Sequence, residues 1–328
     1  MPVVRLLSAR DVRAALPMPA AIAAVRRAFA ELQRGRAVLP PRTHLDLPDQ
    51  QGVALFMPSL LPETGSLGFK AITLFDRNPA IGLPRIQAVV VVFDAPTGQP
   101  RALLDGTTLT ALRTGAGSAV ATDLLARPDA CQAAVFGAGP QGRTQLEAVC
   151  CVRPIRRAWV VDPDRATAHR FAEEMSSGLG LPVEVASSGA EALREAEIVC
   201  TATVSARPVF DDADLRPGTH VNAIGSYKPH VQEVPSATVA RAKVVVDHLE
   251  SALAETGDLL APISQGVFSA ESIHAELGEL VLGTRPGRQN AEEITLYKSV
   301  GVAVMDLAAA AAALERAEEL GLGASFEL

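Results

Sequence analysis

Three glycines in the stretch Gly137-Ala-Gly-Pro-Gln-Gly142 follow a short apolar run and precede a helical pattern. This spacing is typical of a loop that binds a pyrophosphate. Gly137 lets the strand turn sharply, Gly139 lets the backbone approach the phosphates, and Gly142 lets the next helix pack closely on the strand. Backbone N–H groups at the start of that helix would bind the negative charge. The candidate contacts in this loop are Gly137, Ala138, Gly139, Pro140, Gln141 and Gly142.

An acidic residue stands where the ribose of a bound dinucleotide is expected. Asp162 ends a second β-like run and lies about 20 residues beyond the last glycine, where an acidic side chain binds the ribose 2′-hydroxyl. The next residues are Pro163 and Asp164 rather than Arg or Ser, so nothing here favours a 2′-phosphate. The sequence therefore predicts NAD as the cofactor, with NADH preferred and NADPH left open.

Four cations in the first part of the chain could bind an anionic substrate: Arg42, Lys70, Arg85 and Arg113. Arg binds a carboxylate through two parallel hydrogen bonds, and Lys in a desolvated pocket can both bind an anion and donate a proton. Each of them could instead be an ordinary surface cation. Arg113 is the most indicative, because a helix as rich in small residues as Leu112-Arg-Thr-Gly-Ala-Gly is an unusual place for a solvated charge.

Composition limits the classes of protein to consider. The 328 residues are 48% hydrophobic and 20% charged with a net charge of −7, which indicates a globular protein of two domains and no nucleic-acid partner. No apolar run is long enough for a membrane span, and the N-terminus lacks the features of a signal peptide, so a cytoplasmic location is expected. The spacing of the four cysteines predicts buried free thiols and no metal site.

A β-rich first part of the chain would position the cations. Residues 8–36 indicate a helix pair, and five β-like runs begin at Pro40, Gly52, Leu67, Ile86 and Pro100. Residues 107–126 indicate a small-residue helix. Residues 297–306 are expected to begin a long Ala-rich helix that packs back on the first domain.

From residue 128 onwards, strand and helix patterns alternate, which predicts a doubly wound parallel sheet of the Rossmann type. We therefore expect an α/β protein with a Rossmann domain at 128–299 and a discontinuous α+β domain at 1–127 and 300–328 for substrate binding and dimerisation. Ligands of such sheets bind beyond the carboxyl ends of the strands. This adds further candidate cofactor contacts: Thr203, Val204, Ser205, Ile224, Gly225 and Ser226.

Several separated motifs, in order, resemble the ornithine cyclodeaminase/mu-crystallin family over essentially the whole chain. The motifs are Pro41-Arg-Thr-His44, Gly68-Phe-Lys70, Leu103-Leu-Asp-Gly106, Ala111-Leu-Arg-Thr-Gly115, the glycine loop, Asn222-Ala-Ile-Gly-Ser226 and Lys298-Ser-Val-Gly301. The resemblance implies a homodimer joined through the sheets of its substrate domains, and a nicotinamide cofactor.

The resemblance also implies roles for individual residues. Arg42, Lys70 and Arg113 match residues that hold the carboxylate and the amine or imine of the substrate, with Lys70 as the catalytic candidate. Val300 is expected beside the substrate. Positions that line the cofactor in the family are matched by Thr114, Thr203, Ser205, Gly225 and Ser299.

Two departures from the family pattern bear on the activity. The cyclodeaminase branch carries a catalytic Asp where this chain has Tyr227, so ornithine cyclisation is disfavoured, and the Gly-Ser-x-x-Pro form resembles the imine reductase branch. Arg85 stands where many relatives have a small residue, and could face a second substrate carboxylate or simply the solvent.

These observations predict an NAD(P)H-dependent oxidoreductase that reduces α-imino acids such as Δ1-pyrroline-2-carboxylate to L-amino acids. A protonated imine is already an electrophile, so hydride transfer to its carbon needs no conspicuous acid. An iminosuccinate reductase, with Arg85 reading the second carboxylate, and an alanine dehydrogenase remain open alternatives. So does a mu-crystallin-like binding protein without activity.

Overall fold

The computed structural model describes residues 3–328, which form two compact units. The first unit runs to Arg113 and resumes at Val302–Leu328; the second is Thr114–Gly301. The strands are β1 (Val3–Leu7), β2 (Thr43–Leu47), β3 (Gly52–Leu61), β4 (Ser66–Phe75), β5 (Ile86–Asp94), β6 (Pro100–Asp105), β7 (Gln132–Phe136), β8 (Arg157–Val161), β9 (Val183–Val185), β10 (Ile198–Thr201), β11 (His220–Ala223), β12 (Lys243–Val246), β13 (Ala275–Glu276), β14 (Thr295–Lys298) and β15 (Ala324–Glu327).

The helices alternate with the strands in the second unit, and in the first unit they pack against its sheet. They are α1 (Ala9–Ala15), α2 (Met18–Gln33), α3 (Gly106–Leu125), α4 (Pro140–Val152), α5 (Arg165–Leu179), α6 (Gly189–Leu193), α7 (Ser236–Arg241), α8 (Leu249–Glu255), α9 (Gly257–Ser264), α10 (Leu277–Leu282) and α11 (Ala303–Leu320).

Strands of the first unit form a sheet in the order β15-β1-β6-β5-β4-β3-β2, in which every described pair is antiparallel except β1 with β6. Along β4, alternate residues from Ser66 to Leu74 are buried, because successive side chains of a strand point to opposite faces. The buried face packs against α11, which itself packs on α2. The Ala-rich C-terminal helix thus returns to the first unit, as the sequence predicts.

Strands of the second unit form a sheet in the order β13-β12-β14-β11-β10-β7-β8-β9, and all of its described pairs are parallel. Starting from β9, the strands lie in the order β9-β8-β7-β10-β11-β14. If the strands are numbered along the chain from β7, the first five have the order 3-2-1-4-5, which is the doubly wound Rossmann arrangement. Apolar clusters lie on both faces of this sheet. The predicted fold class, a Rossmann sheet plus a discontinuous α+β unit, is confirmed.

The predicted start of the Ala-rich helix is wrong. Residues 297–306 do not begin a helix: Thr295–Lys298 is the buried strand β14 between β11 and β12, and α11 begins only at Ala303. A short run of buried residues lacks the apolar–polar alternation of a half-exposed strand. Its pattern therefore cannot distinguish a buried strand from a buried helix. Gly301, with φ of +77°, then separates the strand from the helix.

The contacts divide the chain within α3, between Arg113 and Thr114, whereas the sequence places a boundary after residue 127. The C-terminal half of α3 packs closely in the second unit: a Cβ on Gly115 would lie 2.5 Å from the carbonyl oxygen of Thr144, and Arg153 donates to the carbonyls of Thr122 and Ala126. The predicted domain boundaries stay a prediction.

Four cysteines are unpaired, and the expectation that all of them are buried is wrong for Cys131 and Cys150, which are half-buried, and for the exposed Cys151. This residue lies near the C-terminal end of α4, on its exposed side, whereas Cys200 in β10 is fully buried. Among residues 3–328, no helix is both long and apolar enough to cross a membrane.

Candidate functional site

Lys70 occupies a core position of the first unit. It lies in the middle of β4, paired with Met57 of β3 and Val90 of β5, and it belongs to the buried set of alternating residues. Only 2% of Lys70 is exposed. A buried ammonium is costly unless it is paired, so its surroundings must supply an anion.

That anion is Asp306, in the first turn of α11. Its Oδ1 lies 3.0 Å and its Oδ2 2.8 Å from the Nζ of Lys70. Arg113 donates from Nε to the same Oδ1 at 2.8 Å, and it is 5% exposed. Two buried cations therefore share one buried carboxylate, and the group carries a net positive charge.

The charge balance makes the Lys70 proton labile. Burial lowers the pKa of Lys70, Asp306 opposes this effect, and the positive charges on Arg113 and Arg42 add to it, which gives a pKa of about 7. Burial raises the pKa of Asp306, but Arg113 and Lys70 outweigh it and lower that pKa below its ordinary value. Asp306 therefore stays ionised while Lys70 can gain or lose a proton near neutral pH.

Close packing of α11 on the sheet brings Asp306 to Lys70. A Cβ on Gly68 would contact the carbonyl oxygen of Val91 and lie 2.9 Å from a methyl carbon of Leu307. Gly68 lies two residues before Lys70 on the same face of β4, so glycine is required where the helix crosses the strand. The motif Gly68-Phe-Lys70 thus has a structural reason as well as a chemical one.

Arg42 and Arg85 differ in their relation to this group. The charge on Arg42 contributes to the pKa of Lys70, which places the guanidinium in its electrostatic neighbourhood. Arg85, by contrast, precedes β5 and forms a partly exposed ion pair with Asp76 at 2.7 Å. Val90, the partner of Lys70, lies five residue steps along the chain from Arg85, which is about 16 Å along the sheet. The structure does not bring Arg85 to the buried cations.

In the second unit, the glycine loop adopts the geometry of a phosphate cradle. Gly137 has φ of +102° and a Cβ there would lie 2.5 Å from the carbonyl oxygen of Ala202, while a Cβ on Gly142 would collide with the carbonyl oxygen of Gly137. Gly139 is different. Its backbone is extended, with φ of −80°, and apart from Gly139 and its two chain neighbours no atom of residues 3–328 lies within 4 Å of a Cβ built there.

Neither backbone nor packing therefore requires glycine at position 139, whereas a ligand that approaches the backbone would. Gly139 is also the N-cap of α4, a 13-residue helix with Pro140 in its first turn and no side-chain cap in the described residues. The first N–H groups of this helix, from Gln141 onwards, can bind a phosphate. The loop fits the pyrophosphate of a dinucleotide.

Asp162 follows β8, and one of its carboxylate oxygens accepts a hydrogen bond from the backbone of Ala138 at 2.8 Å. The other oxygen accepts from the backbone of Asp164. Asp162 therefore orients the glycine loop in addition to its predicted role at the ribose. Asp164 caps α5 and is exposed, and Arg165 is bound to the carbonyl of Ala186, so the surroundings of Asp162 disfavour a 2′-phosphate.

The remaining predicted cofactor contacts occur in segments that follow the parallel strands. Thr203 to Ser205 follow β10, and Ile224 to Ser226 follow β11. Val204 is 77% exposed, the largest exposure among the large apolar side chains described. Thr114 lies buried on α3.

Ser299 and Val300 lie in the turn after β14, which is built around a residue that sequence reasoning missed. Oδ2 of Asp247 accepts hydrogen bonds from the hydroxyl of Ser299 (2.7 Å) and from the backbone of Val300 (3.0 Å) and Gly301 (2.7 Å). Asp247 directly follows β12. An acidic residue at a strand end of this sheet is the sequence feature that could identify Asp247 as a site residue.

The family model of the ornithine cyclodeaminase/mu-crystallin family matches residues 3–321. The chain belongs to this family. Asp306 is a second site residue that the sequence analysis does not identify, because its partners Lys70 and Arg113 lie 236 and 193 positions away in sequence. The sequence signal is a single acid in the first turn of a helix whose first half is otherwise apolar and buried.

Relatives in this family cover the chain from end to end. A Δ1-pyrroline-2-carboxylate reductase from Bacillus cereus is 41% identical over 323 residues, which are 98% of this chain and 99% of the relative. The solved structure of Thermococcus litoralis Δ1-pyrroline-2-carboxylate reductase in complex with NADH and L-proline is 43% identical, with a TM-score of 0.95 over 98% of this chain and 99% of the other. A solved archaeal alanine dehydrogenase dimer with bound NAD is 33% identical, with a TM-score of 0.93 over 99% of both chains.

Proposed function

We propose that this chain is an NADH-dependent reductase of α-imino acids and that Δ1-pyrroline-2-carboxylate, which it converts to L-proline, is its main substrate. The observation that carries the proposal is a buried lysine with a pKa of about 7 that shares a carboxylate with a buried arginine. A cyclic imino acid needs a cationic partner for its carboxylate and a proton for its nitrogen. The two full-length reductase relatives support this substrate.

Arg113 and Arg42 neutralise the substrate carboxylate. Nε of Arg113 is fixed by Asp306, while Nη1 faces the sulfur of Met305 at 3.9 Å. Sulfur is a weak acceptor, so a carboxylate would be the stronger partner for that nitrogen. Because Asp306 holds one edge of the guanidinium, the other edge is oriented before substrate binds.

Lys70 supplies or stabilises the proton on the imine nitrogen. With a pKa of about 7, its ammonium is acidic enough to donate near neutral pH. Bound NADH would supply the hydride, which forms the new C–H bond at the imine carbon as the C=N π electrons pass to nitrogen. The balance is imine plus NADH plus one proton, giving amine plus NAD⁺. No alkoxide forms, so no further acid is needed.

The chain's own residues favour NADH. The glycine loop suits a pyrophosphate, Asp162 offers carboxylate oxygens to a ribose, and the exposed Asp164 would repel a 2′-phosphate. Solved relatives that bind NADH or NAD support the same choice. NADPH is expected to bind more weakly.

A linear imine of pyruvate and ammonia is the second candidate substrate, which would make the chain an alanine dehydrogenase. The similarity to the archaeal alanine dehydrogenase favours it, since Lys70 and Arg113 would serve any α-imino monocarboxylate. Iminosuccinate is less favoured, because Arg85 is paired with Asp76 and far from Lys70 along the sheet. Ornithine cyclisation lacks the carboxylate replaced by Tyr227, and an inactive binding protein would not need a labile buried lysine.

We also propose a homodimer that buries the outer face of the first sheet. Phe56, Val89, Leu67 and Leu103 point to this face and are each about two-fifths exposed. A group of exposed apolar side chains on one sheet face is typical of a protein interface. The cytoplasmic location stays a prediction from the sequence.

The test is NADH oxidation, followed by loss of near-ultraviolet absorbance, with Δ1-pyrroline-2-carboxylate, pyruvate plus ammonia, and oxaloacetate plus ammonia. We expect kcat/KM for the cyclic imine to exceed the others. A preference for pyruvate plus ammonia would establish the alanine dehydrogenase instead. NADH binding without turnover of any imine would contradict both and favour a binding protein.

A further inference from the structure

A buried glutamate joins two segments of the second unit that were predicted to bind the cofactor. The carboxylate of Glu233 accepts four hydrogen bonds. Oε1 accepts from the backbone N–H and the hydroxyl of Thr203, both at 2.6 Å. Oε2 accepts from the hydroxyl of Thr201 at 3.2 Å and the backbone N–H of Ser226 at 3.0 Å. Thr201 ends β10 and Thr203 follows it, whereas Ser226 follows β11, so one side chain links the two strand ends.

Gly225 shows how tightly this arrangement is packed. A Cβ on Gly225 would lie 2.5 Å from each carboxylate oxygen of Glu233 and would collide with the carbonyl oxygen of Thr203. Glycine at this position is therefore explained by the glutamate and the neighbouring segment, independently of any ligand. Gly225, Ser226 and Glu233 therefore pack together as one structural unit.

Glu233 is itself held rigidly. Its backbone N–H and that of Val234 donate to Oδ1 of Asp258, at 2.6 Å and 3.0 Å. Oδ2 of Asp258 accepts from Nζ of Lys298 at 2.9 Å, and all of these polar groups are fully buried. Burying a carboxylate without a direct cation is costly, and burial raises the pKa of Glu233. Its four hydrogen-bond donors offset part of this cost.

The sheet order says which part of a dinucleotide these segments serve. The glycine loop after β7 and Asp162 after β8 lie on one side of the point where the strand order reverses, and β10 and β11 lie on the other. A dinucleotide binds across such a point, with its adenosine half on the β8 side. The segments joined by Glu233 therefore serve the nicotinamide half.

We infer that Glu233 is a positioning residue for the nicotinamide half of the cofactor: it fixes residues 203–205 and 224–226 relative to each other before the cofactor binds. This inference rests on the proposed use of NADH. It predicts that replacing one acceptor oxygen of Glu233 weakens binding of the whole dinucleotide but spares a ligand that occupies only the adenosine half.

The experiment compares the binding of NADH and of ADP by isothermal titration calorimetry in the wild-type protein and in Glu233→Gln. Glutamine offers an amide NH2 to backbone and hydroxyl donors that need acceptors, so the two strand ends lose part of their link. We expect the Kd for NADH to rise about tenfold or more and the Kd for ADP to stay within about twofold. Glu250→Gln, at an exposed position of α8, is the matched control and should change neither Kd.

Thr201→Val is the second variant. It removes one donor to Glu233 from a fully buried strand residue and keeps the side-chain shape. We expect a smaller weakening of NADH binding, about threefold, with ADP binding unchanged. Equal weakening of NADH and ADP, or no weakening of NADH in either variant, would overturn the inference. Absence of NADH binding by the wild-type protein would instead overturn the proposed function.

Discussion

The ammonium nitrogen of Lys70 and the carboxylate of Asp306 are in direct contact, with Nζ lying 2.8 Å from Oδ2 and 3.0 Å from Oδ1. The two residues are 236 positions apart in sequence and almost fully buried. Because Arg113 also binds this carboxylate, Asp306 orients both cations and sets how strongly Lys70 holds its proton.

The first prediction concerns the pH dependence of imine reduction. If Lys70 is the proton donor, as proposed, its protonated form is the active one, and kcat/KM falls as pH rises through the Lys70 pKa of about 7. Asp306→Asn removes the charge that raises this pKa, so the fall in kcat/KM moves to lower pH. Turnover should drop by about 10²-fold or more. The measurement is kcat/KM against pH, from about 5 to 9, with enzyme normalised to its NADH-binding fraction.

Lys70→Met should lower turnover about 10³-fold while NADH affinity stays within a few fold. Any pH dependence of the remaining turnover then belongs to the imine and not to Lys70. Removing one partner of a buried ion pair can cost about 3–5 kcal/mol, so thermal unfolding of Asp306→Asn is measured alongside. Glu315→Gln, an exposed acid on the same helix, is the matched control. A pH profile of Asp306→Asn identical to that of the wild type would refute the role of Asp306.

The second prediction contrasts two glycines of the phosphate loop. Gly139→Ala meets no protein atom and needs no unusual φ, so the free energy of unfolding should change by less than about 1 kcal/mol while the Kd for NADH rises about tenfold or more. Gly142→Ala collides with the carbonyl of Gly137 and should destabilise the protein by about 1–3 kcal/mol. Denaturant unfolding without ligand and NADH titration distinguish them. Unaltered NADH affinity in Gly139→Ala would show that this loop does not hold the cofactor.

The third prediction concerns Arg85. Its partly exposed pair with Asp76 is the kind worth about 0–1 kcal/mol, so Arg85→Ala should leave stability nearly unchanged. KM values for Δ1-pyrroline-2-carboxylate and for oxaloacetate plus ammonia should each change by less than about twofold, as in the control Arg316→Ala. A selective loss with the dicarboxylic substrate would restore Arg85 as the reader of a second carboxylate.

Local patterns in the sequence predict much of this molecule. The spacing of Gly137, Gly139 and Gly142 defines a backbone geometry on its own, and strand–helix alternation defines a parallel sheet. Burial of Arg113 follows from the small residues around it. The strands β1 and β15 at the ends of the described chain and the strand β14 were not predicted, because short runs acquire strand structure only from neighbours distant in sequence.

Long-range pairing explains why the site was only partly predicted. Lys70 and Arg113 were recognised as cations that need an anion, but their anion proved to be Asp306, far along the chain. Glu233 was missed for the same reason, since its partners lie on two other strand ends. Residue types indicate which chemistry is possible, whereas only the fold decides which charges meet.

The fourth prediction concerns assembly. In the first sheet, Phe56 lies opposite Ala71, which in turn lies opposite Val89, so these side chains share one face across β3, β4 and β5. Phe56 and Val89 are both 42% exposed. If this face is the homodimer interface, Val89→Lys places a charge in its apolar centre, where an unpaired buried charge strongly opposes association. The dimer dissociation constant, measured by sedimentation velocity over a concentration series, should rise about 100-fold or more.

Val267→Lys is the control, because Val267 is an equally apolar side chain, 50% exposed, in the second unit. It should leave the dissociation constant unchanged. Folding of both variants is checked by thermal unfolding, since a surface lysine changes stability little. A dimer that survives Val89→Lys at full affinity would place the interface elsewhere, and a wild-type protein that sediments as a monomer at all concentrations would remove the dimer altogether.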